Sequence, residues 1–333
     1  MPIARILAAL LLCLHAAAAA ALDIVLTNDD GFETANIRAL YQRLKAAGHD
    51  VVISAPTGNQ SGTGGRVEYQ RAMAPLTRPS RYGGAEEGAP GVGTDNQDRD
   101  IHYVDGTPVT ALLYGIDVVA AQRWGRPPEL VISGPNEGGN VGPPIVSSGT
   151  VANALYAINR GLPAVAVSDA PWDKVPWTQL APDSRAWAVA EVVVRLVAAL
   201  EAGRKTGRPL LPEGTGLNVN IPDLPAAQLA GAKFRLTRIG GATGYWPMFF
   251  GKLDDSELAR RLGQGSPLPG LSSAIPGENL PPGVVIPPDD DPRAESNAVQ
   301  AGFIAVSVIQ GVPEARSRQK KMVRRQLQAL FGQ

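Results

Sequence analysis

Two adjacent carboxylates, Asp29 and Asp30, follow an apolar run and precede a glycine in the segment DIVLTNDDGF. Neighbouring like charges repel each other unless a cation lies beside them. One interpretation of the pair is therefore a site for a hard divalent metal ion. The alternative is that an aspartate caps the next helix, although one helix start needs only one capping side chain.

Later loops supply further oxygen atoms. Ser61 lies in APTGNQSGTGG, and Asn136 and Asn140 lie in SGPNEGGNVG. Carboxylate, hydroxyl and amide oxygens favour Mg²⁺, Mn²⁺ or Ca²⁺ over zinc. Once the N-terminal segment is set aside, the chain has no cysteine, and its histidines are His49 and His102. We therefore expect neither a zinc site built from several histidines and cysteines nor a cysteine nucleophile.

A possible phosphate-binding segment follows in SSGTVANAL, which opens a predicted helix. Ser148, Gly149 and Thr150 stand where unpaired backbone N–H groups and the positive end of the helix dipole bind anions. Gly62, next to Ser61, either makes a tight turn or lets the backbone approach an anion closely. A metal beside an anion-binding loop predicts a phosphoester substrate.

Strands and helices that position these residues alternate along the chain. Apolar runs predict strands at 22–27, 51–56, 129–134, 163–169, 216–222, 233–240 and 302–310. Apolar residues at helical spacing predict helices at 34–47, 109–123, 151–160 and 184–203. This alternation predicts an α/β fold, a three-layer sandwich with a Rossmann-like, mostly parallel sheet. Ligands of such sheets bind outside the carboxyl ends of the strands, where the chemical residues lie in this chain.

Three segments fall outside this alternation. Segments 78–100 and 262–293 lack hydrophobic periodicity and predict irregular inserted loops at the surface. In the C-terminal segment, one helical face carries Val323, Leu327, Leu330 and Phe331 among basic residues. That helix either packs on its own or a partner subunit, or binds anions.

The N-terminal residues 1–22 combine Arg5, an apolar run and an alanine tract, which is typical of a cleaved signal peptide and predicts export to a bacterial periplasm. An uncleaved membrane anchor is the alternative, but the apolar run is short for one. We predict that residues 23–333 form a single domain whose part from about 234 supplies extension strands and a terminal helix. The formal net charge of +0 indicates no general affinity for nucleic acid.

Taken together, the motifs resemble those of the SurE family, described as divalent-metal-dependent 5′/3′-nucleotidases. The motifs that carry the resemblance are TNDDGF, AP…NQSGTG, VDGTP, LVISGPNEGGNVG, SSGTVANA…RGLPAVAVS and NVNIP. They keep their order over residues 23–221, and the similarity is weaker toward the C terminus.

The resemblance implies roles for individual residues. Residues at the positions of the ligands of one divalent metal ion are Asp29, Asp30, Ser61 and Asn136. The two aspartates are also the expected catalytic residues. Residues expected beside the phosphate are Asn28, Gly62, Asn140, Ser148, Gly149 and Thr150. Residues that depart from the family pattern are Glu137, where histidine or lysine is usual, and Thr110 and Asn297, where aspartate is usual.

We therefore expect a phosphomonoesterase that hydrolyses nucleoside 5′- and 3′-monophosphates with water activated by Mg²⁺ or Mn²⁺. Alternatives are a broad-specificity periplasmic acid phosphatase or exopolyphosphatase, and a periplasmic solute-binding protein that keeps the pocket without turnover. A dinucleotide-binding enzyme would need G-x-G-x-x-G after the first strand, and NDDGFE lacks it. The resemblance also implies a homodimer or homotetramer that binds a small phosphomonoester, no nucleic-acid polymer, and no membrane after cleavage.

Overall fold

The computed structural model describes residues 21–171, 175–241, 246–275, 280, 285, 289–314 and 317–327. Residues 1–20 of the predicted signal peptide lie outside the described residues, as do Leu330 and Phe331 of the predicted C-terminal face. No helix in the described part of the chain combines the length and the apolarity that a membrane crossing requires.

A mixed, mostly parallel sheet forms the centre of the molecule. The strands are β1 (Asp23–Thr27), β2 (Asp50–Pro56), β3 (Val92–Thr94), β4 (Ile101–Val104), β5 (Leu130–Glu137), β6 (Ala164–Asp169), β7 (Thr215–Ile221), β8 (Phe234–Thr237), β9 (Trp246–Phe250), β10 (Gly270–Ala274) and β11 (Ile304–Gln310). Within the described residues, nine of them pair in the order β3-β4-β2-β1-β5-β6-β7-β11-β8. The strands from β4 to β7 in this order are parallel, whereas β3 and β11 pair antiparallel with β4 and β7.

The described residues form nine α-helices, and several of these cover the two faces of the sheet. The helices are α1 (Ala35–Ala46), α2 (Pro108–Tyr114), α3 (Ala120–Trp124), α4 (Gly149–Asn159), α5 (Arg185–Gly203), α6 (Ala226–Leu229), α7 (Glu257–Arg261), α8 (Glu295–Gln300) and α9 (Ser317–Gln326). A π-helical turn, Gly115–Val119, joins α2 to α3, so the helix predicted at 109–123 is one continuous helical run.

The burial of β1 shows why the sheet is the middle layer. Ile24 and Leu26 belong to an apolar cluster that includes residues of α1 and α5. Val25 belongs to a second cluster, with residues of α2 and α4. Because successive side chains of a strand point to opposite faces, apolar layers lie on both sides of the sheet. The predicted three-layer α/β architecture is confirmed.

Two segments predicted as irregular loops contain strands. Segment 78–100 includes β3, which pairs with β4, and segment 262–293 includes β10, which pairs with β9 in a separate two-stranded sheet. The loop prediction is wrong at these two strands. They are three and five residues long, contain glycine, and therefore carry too little periodicity to be recognised.

The C-terminal helix α9 has no buried residue in the described part of the chain. Val323 is 49% exposed and Leu327 is 39% exposed. Within the described residues, the apolar face of α9 therefore does not pack on its own subunit.

Candidate active site

The loop after β1 is shaped by the side chain of Asn28. Its Oδ1 accepts a hydrogen bond from the Gly31 N–H at 3.1 Å, and its Nδ2 donates to the Gly31 carbonyl at 2.9 Å. Gly31 has φ +115°, a conformation that favours glycine. Asn28 thus folds the loop that presents the two aspartates, and its predicted contact with phosphate stays a prediction.

Both aspartates are buried, with exposed fractions of 3% for Asp29 and 1% for Asp30. Different elements hold them: Asp29 Oδ1 accepts from the Thr150 hydroxyl at the start of α4 at 2.5 Å, and Asp30 Oδ2 accepts from the N–H of Glu137 at the end of β5 at 2.9 Å. The residue that precedes α1 is Thr34, so neither aspartate caps this helix. The capping alternative is therefore wrong.

The pair carries an electrostatic penalty when ionised. Burial raises the pKa of Asp29, and hydrogen bonds from the hydroxyl and backbone of Thr150 offset only part of the shift. Burial raises the pKa of Asp30 well above its usual value, the charges of Asp29 and Glu137 raise it further, and Arg81 partly offsets them. A divalent cation beside both carboxylates would remove this penalty.

Asn136 lies beside this pair because of how β5 ends. After a cis peptide bond between Gly134 and Pro135, the chain brings the Glu137 N–H onto Asp30. The Asn136 Nδ2 donates to the Gly138 carbonyl at 2.7 Å, which identifies Oδ1 as the atom left to act as a metal ligand. A Cβ at Gly134 would lie 2.2 Å from the Val167 carbonyl oxygen, so this bend requires glycine.

The loop after β2 is tied to the same place. The Gln60 N–H donates to the Asp29 carbonyl at 2.7 Å, and the Ser61 N–H donates to Asn59 Oδ1 at 2.7 Å. Ser61 and Gly62 are exposed, and Gly62 has φ +83°. The structure therefore brings the predicted hydroxyl ligand and the glycine beside it to the loop of the aspartates.

The start of α4 touches the aspartates directly. Ser148 caps the helix, with its hydroxyl accepting from the Val151 N–H at 3.1 Å. A Cβ at Gly149 would lie 2.7 Å from the Asp29 Cβ, so only glycine allows this approach. The predicted group Ser148, Gly149 and Thr150 thus adjoins Asp29, and its predicted binding of phosphate stays a prediction.

Asn140 lies within a buried network of amides. Its N–H donates to Asn220 Oδ1 at 2.8 Å, and its Nδ2 donates to Ser168 Oγ at 2.8 Å. Its carbonyl accepts from the side chains of Asn218 and Asn220 at 3.0 and 2.9 Å. The sequence prediction missed the role of these two asparagines, although their alternation in the β7 segment NVNIP places both on one face of the strand.

The sequence prediction also missed Arg81, whose positive charge lies beside the acidic side chain of Glu137. The Arg81 Nη1 donates to the Asp30 carbonyl at 2.8 Å, and its guanidinium lies 3.4 Å from the Glu137 carboxylate. Glu33 holds the segment in place by accepting from the Tyr82 N–H at 2.9 Å. The acidic residue at 137 is therefore accompanied by a cation from the inserted segment, which no local sequence signal reveals.

Thr110 and Asn297, the other two residues that depart from the family pattern, each form side-chain hydrogen bonds with residues near them in sequence. The Thr110 hydroxyl is 2.9 Å from that of Thr107, which in turn donates to the Arg66 carbonyl at 2.7 Å. The Asn297 side chain donates to the Asp289 carbonyl at 2.7 Å.

A cavity of about 610 Å³ opens next to these loops, within the usual size range of small-molecule sites. Its polar lining comes from the loop after β2 and from the inserted segment. The lining residues are Thr57, Gly58, Asn59, Gln60, Arg71, Leu76, Thr77, Arg78, Pro79, Ser80, Arg81 and Asp105. It lies beside the metal-site loops because Gln60 and Arg81 both hydrogen-bond to the backbone of the aspartate pair.

The donor set limits which metals fit. Within the described ranges there is no group of three or more His, Cys, Asp or Glu side chains that could hold a metal ion. A metal site at Asp29 and Asp30 would therefore be completed by other oxygen atoms, such as those of hydroxyl groups, amides or water, which fits a hard cation such as Mg²⁺ or Mn²⁺.

Comparisons with known proteins agree on one family. Residues 24–244 match the family model described as survival protein SurE. An acid phosphatase of Yarrowia lipolytica is 38% identical over 205 residues, which cover 60% of this chain and 56% of that protein. The 5′-nucleotidase SurE of Lawsonia intracellularis is 34% identical over 212 residues, which cover 64% of this chain and 70% of that protein.

The fold also matches a solved structure. The SurE protein of Aquifex aeolicus superposes with a TM-score of 0.62 and 24% identity, over 91% of this chain and 98% of that one. At this identity the likeness concerns the fold alone.

Proposed function

The chain belongs to the SurE family of phosphoric monoester hydrolases, and we propose that it hydrolyses nucleoside 5′- and 3′-monophosphates to nucleoside and phosphate with one divalent metal ion. The observation that carries the proposal is the pair of adjacent buried carboxylates at the meeting point of four loops. Burial raises the pKa of both aspartates, the charges of Asp29 and Glu137 raise that of Asp30 further, and a cation relieves that repulsion.

Four side chains are proposed to hold the ion: the carboxylates of Asp29 and Asp30, the Ser61 hydroxyl and the Asn136 Oδ1. When bound, Mg²⁺ or Mn²⁺ would supply a Lewis acid for the phosphoryl group and lower the pKa of water at the site.

The chain itself supplies the remaining chemistry. Asp29, held by the Thr150 hydroxyl, orients the attacking water and accepts its proton; its raised pKa suits this role. The water oxygen forms the new bond to phosphorus as the bond to the leaving oxygen breaks, and the leaving oxygen takes up a proton from solvent to give the nucleoside. Backbone N–H groups at the start of α4 stabilise charge on the phosphoryl oxygens.

The leaving group is proposed to occupy the cavity lined by Arg78 and Arg81. Its lining has hydrogen-bonding side chains and few apolar ones, which suits a nucleoside rather than an apolar alcohol.

A substrate panel tests this function. We expect hydrolysis of 5′- and 3′-nucleoside monophosphates with Mg²⁺ or Mn²⁺, and loss of activity in EDTA. Faster hydrolysis of p-nitrophenyl phosphate than of any nucleotide would instead support a broad acid phosphatase, which the similarity to the Yarrowia enzyme favours. Preference for short polyphosphate would support an exopolyphosphatase. Tight binding of phosphate esters without turnover under every metal condition would support the solute-binding alternative.

Location and assembly complete the proposal. The composition of residues 1–22 supports export to the periplasm. Deletion of these residues should keep the protein in the cytoplasm during cell fractionation, and unchanged export would contradict the proposal.

The exposed apolar side chains of β9 and β10, Phe249 at 67% and Leu271 at 70%, support a homodimer or homotetramer.

A further inference from the structure

Glu295 is a buried carboxylate that lies far from the two aspartates in sequence. Glu295, the first residue of α8, has an exposed fraction of 0%. Its Oε1 accepts from the Gly142 N–H at 2.8 Å, and its Oε2 accepts from Asn218 Nδ2 and the Ser307 hydroxyl, both at 3.0 Å. One side chain from the C-terminal part of the chain thus joins β7, β11 and the loop after β5.

The loop that Glu295 holds connects two parts of the proposed site. Gly142 lies between Asn136, a proposed metal ligand, and Ser148, which begins α4. Gly142 has φ +69° and ψ −160°, a conformation that favours glycine, and Glu295 accepts the hydrogen bond of its N–H there. Through Asn218, which also donates to the Asn140 carbonyl, Glu295 supports the loop at a second point.

The groups that face Glu295 are all neutral: one backbone amide, the amide of Asn218 and the hydroxyl of Ser307. Burial raises the pKa of Glu295 to about 7, and the hydrogen bonds from these groups lower it only in part. The Ser307 hydroxyl lies 2.8 Å from that of Thr237, so this pair can rotate to serve either protonation state of the carboxyl. Glu295 therefore forms no ion pair with these groups, and an ion pair with them does not explain why an acidic residue lies here.

We propose that Glu295 is a positioning residue for the active site, which fixes the loop between Asn136 and α4 by holding the Gly142 N–H and the Asn218 amide. The proposal rests on the proposed function, since it concerns the same site. Glu295 touches neither the metal ligands nor the start of α4; it sets the distance between them. Small displacements of such groups are costly, since a misplacement of about 1 Å can reduce a rate by about 100-fold.

Three variants separate positioning from general stability. Glu295→Ala removes both supports of the loop, and we expect kcat/KM for a nucleotide to fall about 10- to 100-fold, with weaker inhibition by inorganic phosphate. Glu295→Gln keeps the volume and one acceptor oxygen, which can still bind the Gly142 N–H, so it should restore activity to within about threefold of the unmodified protein. Ser307→Ala is the matched control, because it removes a contact of Glu295 that does not reach the loop; its activity should also stay within about threefold.

Two results would overturn the proposal. One is activity and phosphate inhibition of Glu295→Ala close to those of the unmodified protein. The other is an equal loss in Ser307→Ala, which would show that only packing of the network matters.

Hydrogen exchange of the Gly142 amide can be measured in the unmodified protein. This measurement requires neither a folded variant nor enzymatic activity. In the unmodified protein, this amide should exchange much more slowly than an open loop amide, because Glu295 holds it. Exchange at the rate of an open loop would contradict the proposal even if the protein hydrolyses nucleotides. Slow exchange in a protein that hydrolyses no phosphate ester would leave the positioning intact and reject the proposed function instead.

Discussion

At the scale of single residues, the charges around Asp30 decide the behaviour of the site. Burial raises the pKa of Asp30 most, the charges of Asp29 and Glu137 raise it further, and Arg81 lowers it by less. A buried cluster with this excess of negative charge is unfavourable by itself and suits a cation.

Asp30→Asn removes one carboxylate while keeping the shape of the side chain. We expect kcat/KM to fall at least about 100-fold, because a proposed metal ligand and its charge are lost. In EDTA the same variant should melt at or above the temperature of the unmodified protein, because the repulsion with Asp29 is gone. Asp117→Asn, which alters an exposed ion pair with Arg160, is the control and should keep full activity. Near-normal turnover by Asp30→Asn would contradict the proposed role of the metal in hydrolysis.

The raised pKa values of Asp29 and Asp30 also predict how pH and metal act together. In the metal-free protein, a raised folded pKa makes stability greatest below the unfolded pKa of these groups, and stability is lost as pH rises through the folded pKa. A bound cation favours the ionised form, so the rise in melting temperature caused by Mn²⁺ should grow between about pH 5 and about pH 8. Calorimetry in Mn²⁺ and in EDTA measures it. A shift that is the same at every pH would show that these carboxylates do not bind the ion.

At the scale of elements, the close approach of α4 to the loop after β1 depends on Gly149. Gly149→Ala would place a Cβ against Asp29, and the required displacement should reduce kcat/KM at least about tenfold and stability by about 1–3 kcal/mol. Gly203→Ala at the end of α5, where a Cβ meets nothing within 4 Å, is the control. Enzyme kinetics and denaturant unfolding measure the two effects. Full activity of Gly149→Ala would mean that α4 need not touch Asp29.

The inserted segment that follows the loop of Ser61 should govern the choice of leaving group. Arg78→Ala removes a hydrogen-bond donor from the cavity, and we expect kcat/KM for nucleotides to fall about threefold to tenfold, the effect of one lost hydrogen bond. Hydrolysis of p-nitrophenyl phosphate should stay nearly unchanged. Arg208→Ala, an exposed arginine outside the cavity, serves as control. Equal losses for both substrates would place Arg78 at the phosphate instead.

An element can be predicted from the sequence when its own residues carry the pattern that identifies it, and it is missed when its formation depends on residues elsewhere in the chain. The apolar runs of β1, β2, β5 and β6 identified the sheet, since burial on both faces requires continuous apolar sequence. β3 and β10 were missed because their pairing depends on neighbouring strands more than on their own residues. For the same reason the support that Glu295 gives to Gly142, 153 residues away, could not be inferred from either segment alone.

At the scale of the whole molecule, exposed apolar surface predicts assembly. Leu271 lies directly opposite Phe249 in the two-stranded sheet, and both side chains are exposed. Leu271→Glu should reduce the mass measured by light scattering from a dimer or tetramer to a monomer, because it places a charge in the interface. Lys252→Glu, a nearby exposed change, should keep the larger mass. A monomeric unmodified protein would contradict the proposed assembly.

We propose that Asp29 and Asp30 hold a divalent ion that the hydrolysis requires. The most direct measurement is anomalous X-ray scattering from crystals soaked in Mn²⁺. We expect one manganese peak per subunit, within bonding distance of oxygen atoms of Asp29, Asp30, Ser61 and Asn136. Fully soaked, active crystals with no peak at these side chains, or with a peak only elsewhere, would contradict it.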